Sequence, residues 1–184
     1  GFDYSYVLPN GVQNQPYAFF ENDKFLPLNP NQPNMVLLPA GQKGNSIVET
    51  AGYGDANWDS SLAGPRLLQK AVDFIDRHYT QYGRQKPFFL YLSTEAIHEP
   101  NTPPTSFNGF PVKGVTGIDA KADMIYEFDL EVGQIVSALQ QRGLADNTLI
   151  IVTSDNGGTN TAAHLNVGHN SVGGLRGHKT LIYQ

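Results

Sequence analysis

Two apolar runs of strand character, Phe88-Phe89-Leu90-Tyr91-Leu92 and Leu149-Ile150-Ile151-Val152-Thr153, flank a stretch of helical periodicity. That order constrains the fold more than any other feature of the chain. Short aliphatic, aromatic and β-branched runs bounded by turn residues read as buried strands. Between them, Ile125, Phe128, Val132, Ile135, Val136 and Leu139 recur at the three- and four-residue steps of one apolar helix face. Asp119 is placed to cap that helix and Gly143 to end it. Strand, helix and strand in this order make a βαβ unit, whose two strands run parallel. Their carboxyl ends then share one edge of the sheet, where open α/β sheets bind ligands. His98 and the Asp155-Asn156 pair, each lying just past a run, are therefore expected on the same side of the molecule.

The rest of the chain divides in two. Residues 1–64 are rich in Gly, Pro and Asn and read as loops with short extended pieces, such as Tyr17-Ala18-Phe19-Phe20 and Met35-Val36-Leu37-Leu38. Residues 65–184 form the α/β portion. Pro65 is well placed to begin a helix, because its missing N–H is not needed in the first turn. Leu68, Ala71, Val72, Ile75 and Tyr79 give that helix its apolar face, and Gly83 stands near its end. The whole length of 184 residues favours one domain. With 40% hydrophobic and 16% charged residues the chain can bury a core and is not of disordered composition. A net charge of −5 without a basic patch argues against a nucleic-acid partner. No apolar stretch is long enough to make a membrane-spanning helix. The absence of cysteine excludes disulfides and thiolate metal sites within these residues.

Asp155 and Asn156 put a carboxylate and a carboxamide oxygen side by side, followed by Gly157 and Gly158, which leave room. Two hard oxygen donors past a strand suit Ca²⁺ or Mg²⁺. The same residues are also ordinary turn chemistry. His98 alone reads as a loop residue, Lys179 alone as a solvated lysine, and His164 and His169 as members of a Gly/Asn-rich loop.

Four segments carry a resemblance when taken together. They are Gly1–Tyr4, Lys86–Leu92 continuing to His98-Glu99-Pro100, Asp146–Gly157, and Leu175–Gln184 with its Gly177-His178-Lys179. In order and spacing they resemble the sulfatase family, the arylsulfatase-like branch of the alkaline phosphatase superfamily. The resemblance runs nearly end to end and corresponds to the central part of a typical member. It implies an α/β fold, an alkaline-phosphatase-like sandwich with a largely parallel central sheet flanked by helices, incomplete in this chain.

The resemblance also implies roles. Asp155 and Asn156 match the second pair of metal ligands, for calcium ahead of magnesium. His98 matches the histidine that contacts the sulfate and protonates the leaving oxygen. Lys179 matches the lysine that pairs with a sulfate oxygen. Asp129 sits on the family's intervening helix as a structural residue. Family members further carry an Asp-Asp metal pair on an N-terminal strand and a Cys/Ser-x-Pro/Ala-x-Arg motif. The Cys or Ser of that motif becomes the formylglycine nucleophile. Neither segment is present in the 184 residues.

The expected function is calcium-dependent hydrolysis of a sulfate ester on a carbohydrate or aryl group, in a periplasmic, lysosomal or secreted setting. A phosphodiester or phosphonate monoester hydrolase of the same superfamily is the alternative enzyme. A sulfatase-like protein that binds without catalysis is the alternative outside enzymes. The expected partners are a sulfated small molecule or glycan and the remainder of the protein's own polypeptide. Residues 1–184 alone are expected to be inactive, and to be marginally stable and aggregation-prone for want of a central strand.

Overall fold

Turn chemistry, rather than helix, organises the first third of the chain. The structure, a computed structural model, describes residues 1–181; Ile182 and Tyr183 of the strand-like run that begins at Leu181 lie outside the described residues. Strands β1 (Tyr6–Val7), β2 (Phe20–Glu21) and β3 (Lys24–Phe25) form a small antiparallel sheet in that order. Four more follow: β4 (Met35–Leu38), β5 (Gly41–Lys43), β6 (Ser46–Val48) and β7 (Gly52–Asp55). The β5–β6 hairpin lies within the longer β4–β7 antiparallel pair. Under these strands Tyr17, Phe19 and Trp58 pack their rings at 5.7–5.9 Å between centroids around Trp58. Gly54 has to be glycine, because a Cβ there would stand 2.8 Å from the Tyr17 carbonyl oxygen.

A 3-10 turn at Ser60–Leu62, capped by the Asp59 side chain, continues directly into helix α1 (Ala63–Tyr82). The helix thus starts two residues before Pro65, which still falls in the first turn, where no amide is needed. Gly83 ends it with φ of 59°. A hairpin of β8 (Ser106–Phe107) and β9 (Phe110–Pro111) precedes α2 (Ala120–Gln141), which Asp119 caps by accepting the Ala122 amide at 2.8 Å. Helices α1 and α2 pack on each other through Ile75, Ala138 and Leu139. Fully buried side chains such as Ile75 and Leu139 each contribute about 1.5–3 kcal/mol. The β8–β9 hairpin adds Phe107 and Val112 against Leu68. A short helix, α3 (Ala162–Asn166), follows the second apolar run.

Two expectations are corrected. The Phe88–Leu92 and Leu149–Thr153 runs are not buried strands, and no parallel ladder joins them; among the described residues neither run makes a backbone–backbone hydrogen bond. From Phe88 to Thr94, partial burial and exposure alternate residue by residue, as in an extended chain with one covered face. Phe88, Leu90 and Leu92 pack on the helices, while Phe89 and Tyr91 are 74% and 71% exposed. Leu149 and Ile151 are more open still, at 85% and 76%. Apolar composition marked these runs for burial, but a strand also needs a neighbour to pair with, and within the described residues they have none.

The second correction concerns α2. Its deeply buried positions include Met124, Glu127, Glu131, Ala138 and Leu139, whereas Ile125, Phe128, Val132 and Val136 are only half-buried. The covered face therefore carries two glutamates, which apolar periodicity cannot find. Glu131 accepts a short hydrogen bond of 2.5 Å from the Thr94 hydroxyl through Oε2, and its Oε1 has no partner. Both Glu127 Oε1 and Glu131 Oε1 lie 2.5 Å from where a Cβ on Gly64 would stand, so the glycine lets the start of α1 approach the pair.

Burial pushes the Glu127 carboxyl up to about 8, and the neighbouring Glu131 charge adds to the rise. Burial likewise pushes Glu131 up to about 7, against the Thr94 hydrogen bond that favours its charged form. An unfolded chain releases both protons near the ordinary 4.5, while the folded chain keeps them to higher pH. Between those limits the folded state binds more protons at these two groups, so the stability they contribute is fullest below about pH 4.5 and is lost as pH rises toward 7 and 8. Urea unfolding of the protein is expected to show a lower free energy at about pH 8 than at pH 5. Glu131→Gln should flatten that slope. A stability that rises over the same interval would refute the assignment.

Candidate active site

The chain after Leu92 is held before it delivers a side chain. Thr94 bonds to Glu131 through its hydroxyl and accepts the Ala96 amide at 3.2 Å. Asn101 reaches back to the carbonyls of Ile97 and His98 at 3.4 and 3.5 Å. Ile97, a β-branched residue, is held at φ of 86°. That left-handed conformation costs a β-branched residue on the order of 1–3 kcal/mol and persists only where its surroundings enforce it. It turns the chain so that His98, half-buried, faces the segment around Lys179.

His98 Nε2 lies 3.4 Å from Lys179 Nζ, and His98 Nδ1 lies 2.7 Å from the Glu99 carbonyl oxygen. A carbonyl only accepts, so Nδ1 carries a proton. An ammonium only donates, so Nε2 presents its lone pair to Lys179. The pair is separated by 81 residues in sequence.

The Asp155-Asn156 turn reaches the same place by backbone contact. A Cβ on Gly157 would stand 3.4 Å from His178 Cα and 3.6 Å from the Lys179 amide nitrogen. One on Gly158 would stand 2.7 Å from Ser171 Cβ. Gly158 thus allows the loop after Asn156 to lie close against Ser171, while Gly157 sits at ordinary van der Waals distance from the His178–Lys179 backbone. Asp155 and Asn156 are exposed, and neither side chain makes a hydrogen bond among the described residues. The structure therefore gathers His98, Lys179 and the Asp155–Gly157 turn into one region, without the ladder that sequence pattern suggested.

Charge in this region is mixed. Burial pushes the Glu95 carboxyl up, against the hydrogen bond from the Val12 amide, which pulls it down. Burial pushes the Lys121 ammonium down; Glu99 and Asp119 oppose that, and Lys179 adds to it. Two lysines thus act on each other close to His98.

For a metal, the donors fit in kind. Asp155 and Asn156 offer hard oxygens of the type Ca²⁺ takes, free of protein partners among the described residues. Calcium takes about six to eight oxygens, so this pair fits as part of a shell. Among the described residues no group of three or more His, Asp or Glu side chains could hold a metal by itself.

A network absent from the sequence reading lies beside the turn. Lys121 Nζ donates to the Thr159 carbonyl at 2.5 Å and to its hydroxyl at 2.6 Å. Asp119 accepts from the Thr161 hydroxyl at 2.6 Å and from His164 Nε2 at 3.0 Å. Burial raises the Asp119 carboxyl, but the bonds from Thr161, Ala122 and His164 outweigh it and hold it below the usual range. His164 is fully buried rather than lining an open loop, and only His169 remains exposed. The sequence signal was limited to Asp119 as a helix cap, with nothing to show that it meets Thr161 and His164.

A family model described as Sulfatase matches residues 14–179. The chain is 31% identical to an N-acetylgalactosamine-6-O-sulfatase of Bacteroides thetaiotaomicron, over 100% of this chain and 40% of that protein. It is 43% identical to the N-acetylgalactosamine-6-sulfatase of Rattus norvegicus over 49% of this chain and 16% of that protein. A solved sulfatase structure, described with the metabolism of multiple glycosaminoglycans by Bacteroides thetaiotaomicron, superposes with a TM-score of 0.74 at 28% identity. That match covers 97% of this chain and 42% of the solved one. The chain thus spans about two fifths of the length of the relative it matches from end to end.

The His98 tautomer is directly measurable. Nitrogen NMR of the neutral imidazole is expected to place its proton on Nδ1, with Nε2 bare. Lys179→Met should shift the Nε2 resonance. A proton found on Nε2 would contradict the geometry.

Proposed function

This chain belongs to the sulfatase family, and on that premise we propose that the protein hydrolyses sulfate esters, with His98 and Lys179 contacting the sulfate. Asp155 and Asn156 supply two of the ligands to a calcium ion. The substrate is a sulfated carbohydrate, in keeping with the amino-sugar sulfatases among its relatives, or an aryl sulfate. The observation that carries the reading is the 3.4 Å approach of His98 Nε2 to Lys179 Nζ, beside a turn whose Gly157 lies against the Lys179 backbone. An anion bound to the ammonium would then lie beside the imidazole.

Breaking the S–O ester bond leaves an electron pair on the departing oxygen and negative charge on the nonbridging oxygens. Lys179 offsets the latter charge from a fixed position. His98 Nε2 faces the site and, once it has taken up a proton, can pass it to the departing oxygen. Glu99 holds the opposite ring nitrogen through its carbonyl and so keeps the imidazole oriented. A bound divalent cation would supply further charge stabilisation at the sulfate oxygens. The nucleophile, a formylglycine in this family, belongs to a Cys/Ser-x-Pro/Ala-x-Arg segment that the 184 residues do not contain.

Kinetics of the full-length protein test this. His98→Ala, Lys179→Ala and Asp155→Ala should each lower kcat/KM for an aryl sulfate by roughly 10²-fold or more. Residues 1–184 alone should turn over none. Variants as active as the parent, or a parent faster on a matched aryl phosphodiester than on the sulfate, would overturn the assignment.

A further inference from the structure

Lys121 is an unusual residue to find at 9% exposure. Lysine is rarely buried without a carboxylate partner, because its ammonium loses hydration on leaving water. Among the described residues the ammonium donates to no carboxylate, and Glu99 and Asp119 favour its charge only through space. Both of its hydrogen bonds go to one neutral residue, Thr159, at 2.5 and 2.6 Å. A methionine would fill the same space without that cost. What the lysine adds is a grip on one point of the 157–164 loop, three residues after Asn156.

Asp119 grips the same loop at a second point. Its carboxylate caps α2 through Ala122, and it also accepts from Thr161 and His164. Thr161 itself caps α3 by accepting the His164 amide at 3.1 Å. The caps of two helices are therefore bonded to each other across 42 residues of chain. His164, at 1% exposure, closes the contact from the loop side. On the loop's far side Ser171 donates to the Thr159 carbonyl at 3.2 Å, and Gly158 lies against Ser171. The loop is thus held between α2 and the chain that leads to Lys179.

We propose that Lys121 and Asp119, in the first turn of α2, are positioning residues that clamp the loop after Asn156 and so hold the Asp155-Asn156 oxygen pair in register with Lys179 and His98. Neither residue touches substrate. The proposal rests on the reading of Asp155 and Asn156 as calcium ligands and assigns what keeps them in place. A third residue of the same region, Asp123, provides an internal comparison. It accepts from the amides of Gly114 and Thr116 at 2.6 and 3.0 Å and from the Thr116 hydroxyl at 2.7 Å, and so pins a different loop.

Calcium affinity of the full-length protein, measured by calorimetry and by terbium luminescence, is the readout, with urea unfolding alongside. Lys121→Met should weaken calcium binding by roughly tenfold or more, as loss of a supporting contact does at metal sites. Lys121→Arg, which keeps donors at that point, should restore part of it. Asp123→Asn should lower stability and leave calcium affinity unchanged. If Lys121→Met does not fold, Thr161→Val, which removes one hydroxyl from the clamp, should still weaken binding. Asp155→Ala separates the two readings. If it binds calcium as tightly as the parent, the ligand assignment fails and the clamp with it. If it loses calcium while Lys121→Met and Thr161→Val bind normally, the clamp alone is overturned. Equal losses in Lys121→Met and Asp123→Asn would mark a general effect of stability and overturn it as well.

Discussion

Helix α2 holds two of the three segments from which the candidate site is built, those that carry His98 and the Asp155-Asn156 pair. Halfway along it, Glu131 accepts the Thr94 hydroxyl and fixes the chain four residues before His98. In its first turn, Lys121 and Asp119 fix the loop that follows Asp155 and Asn156. The geometry of the site is therefore set by one rigid element rather than by a sheet edge. Rigid elements locate side chains more precisely than loops do, and a site assembled from loops needs such a reference. The helix itself stays in place by packing on α1 through an interface that includes two carboxyl groups, which favour the neutral form.

Parts of this were legible in the sequence. Local signals worked locally: Asp119 caps α2, Gly83 and Gly143 stand at helix ends with positive φ, and the apolar face of α1 matches its buried side. Non-local features were not legible. Apolar composition placed Phe88–Leu92 and Leu149–Thr153 in strands, but pairing depends on a neighbour that no local pattern reveals. Periodicity on α2 selected Val132 and Val136 and passed over Glu127 and Glu131, because it scores polarity and cannot register a neutral, hydrogen-bonded carboxyl. The meeting of His98 with Lys179 was anticipated from family resemblance, not from either residue alone. The Lys121–Thr159 and Asp119–His164 contacts had no sequence signal beyond Asp119 as a helix cap.

The bare faces of the two runs have a physical consequence of their own. Phe89, Tyr91, Leu149 and Ile151 present large apolar side chains to solvent, and among the described residues the backbone beside them makes no backbone–backbone hydrogen bond. Such edges invite pairing with any extended chain that reaches them. The site lies just beyond these runs, of which the first is braced on one face through Phe88, Leu90 and Leu92 and the second is exposed along its length. That places more weight on the hydrogen bonds that Thr94 donates to Glu131 and Thr159 accepts from Lys121, both on α2.

In the proposed site an imidazole, an ammonium and an oxygen pair converge on one anion. The most direct measurement is a crystal structure of the full-length protein with calcium and a tetrahedral sulfate mimic such as vanadate. The account predicts one anion within hydrogen-bond reach of both His98 Nε2 and Lys179 Nζ, with calcium ligated by Asp155 and Asn156. An anion seated away from those two nitrogens, or calcium held by other residues, would contradict it.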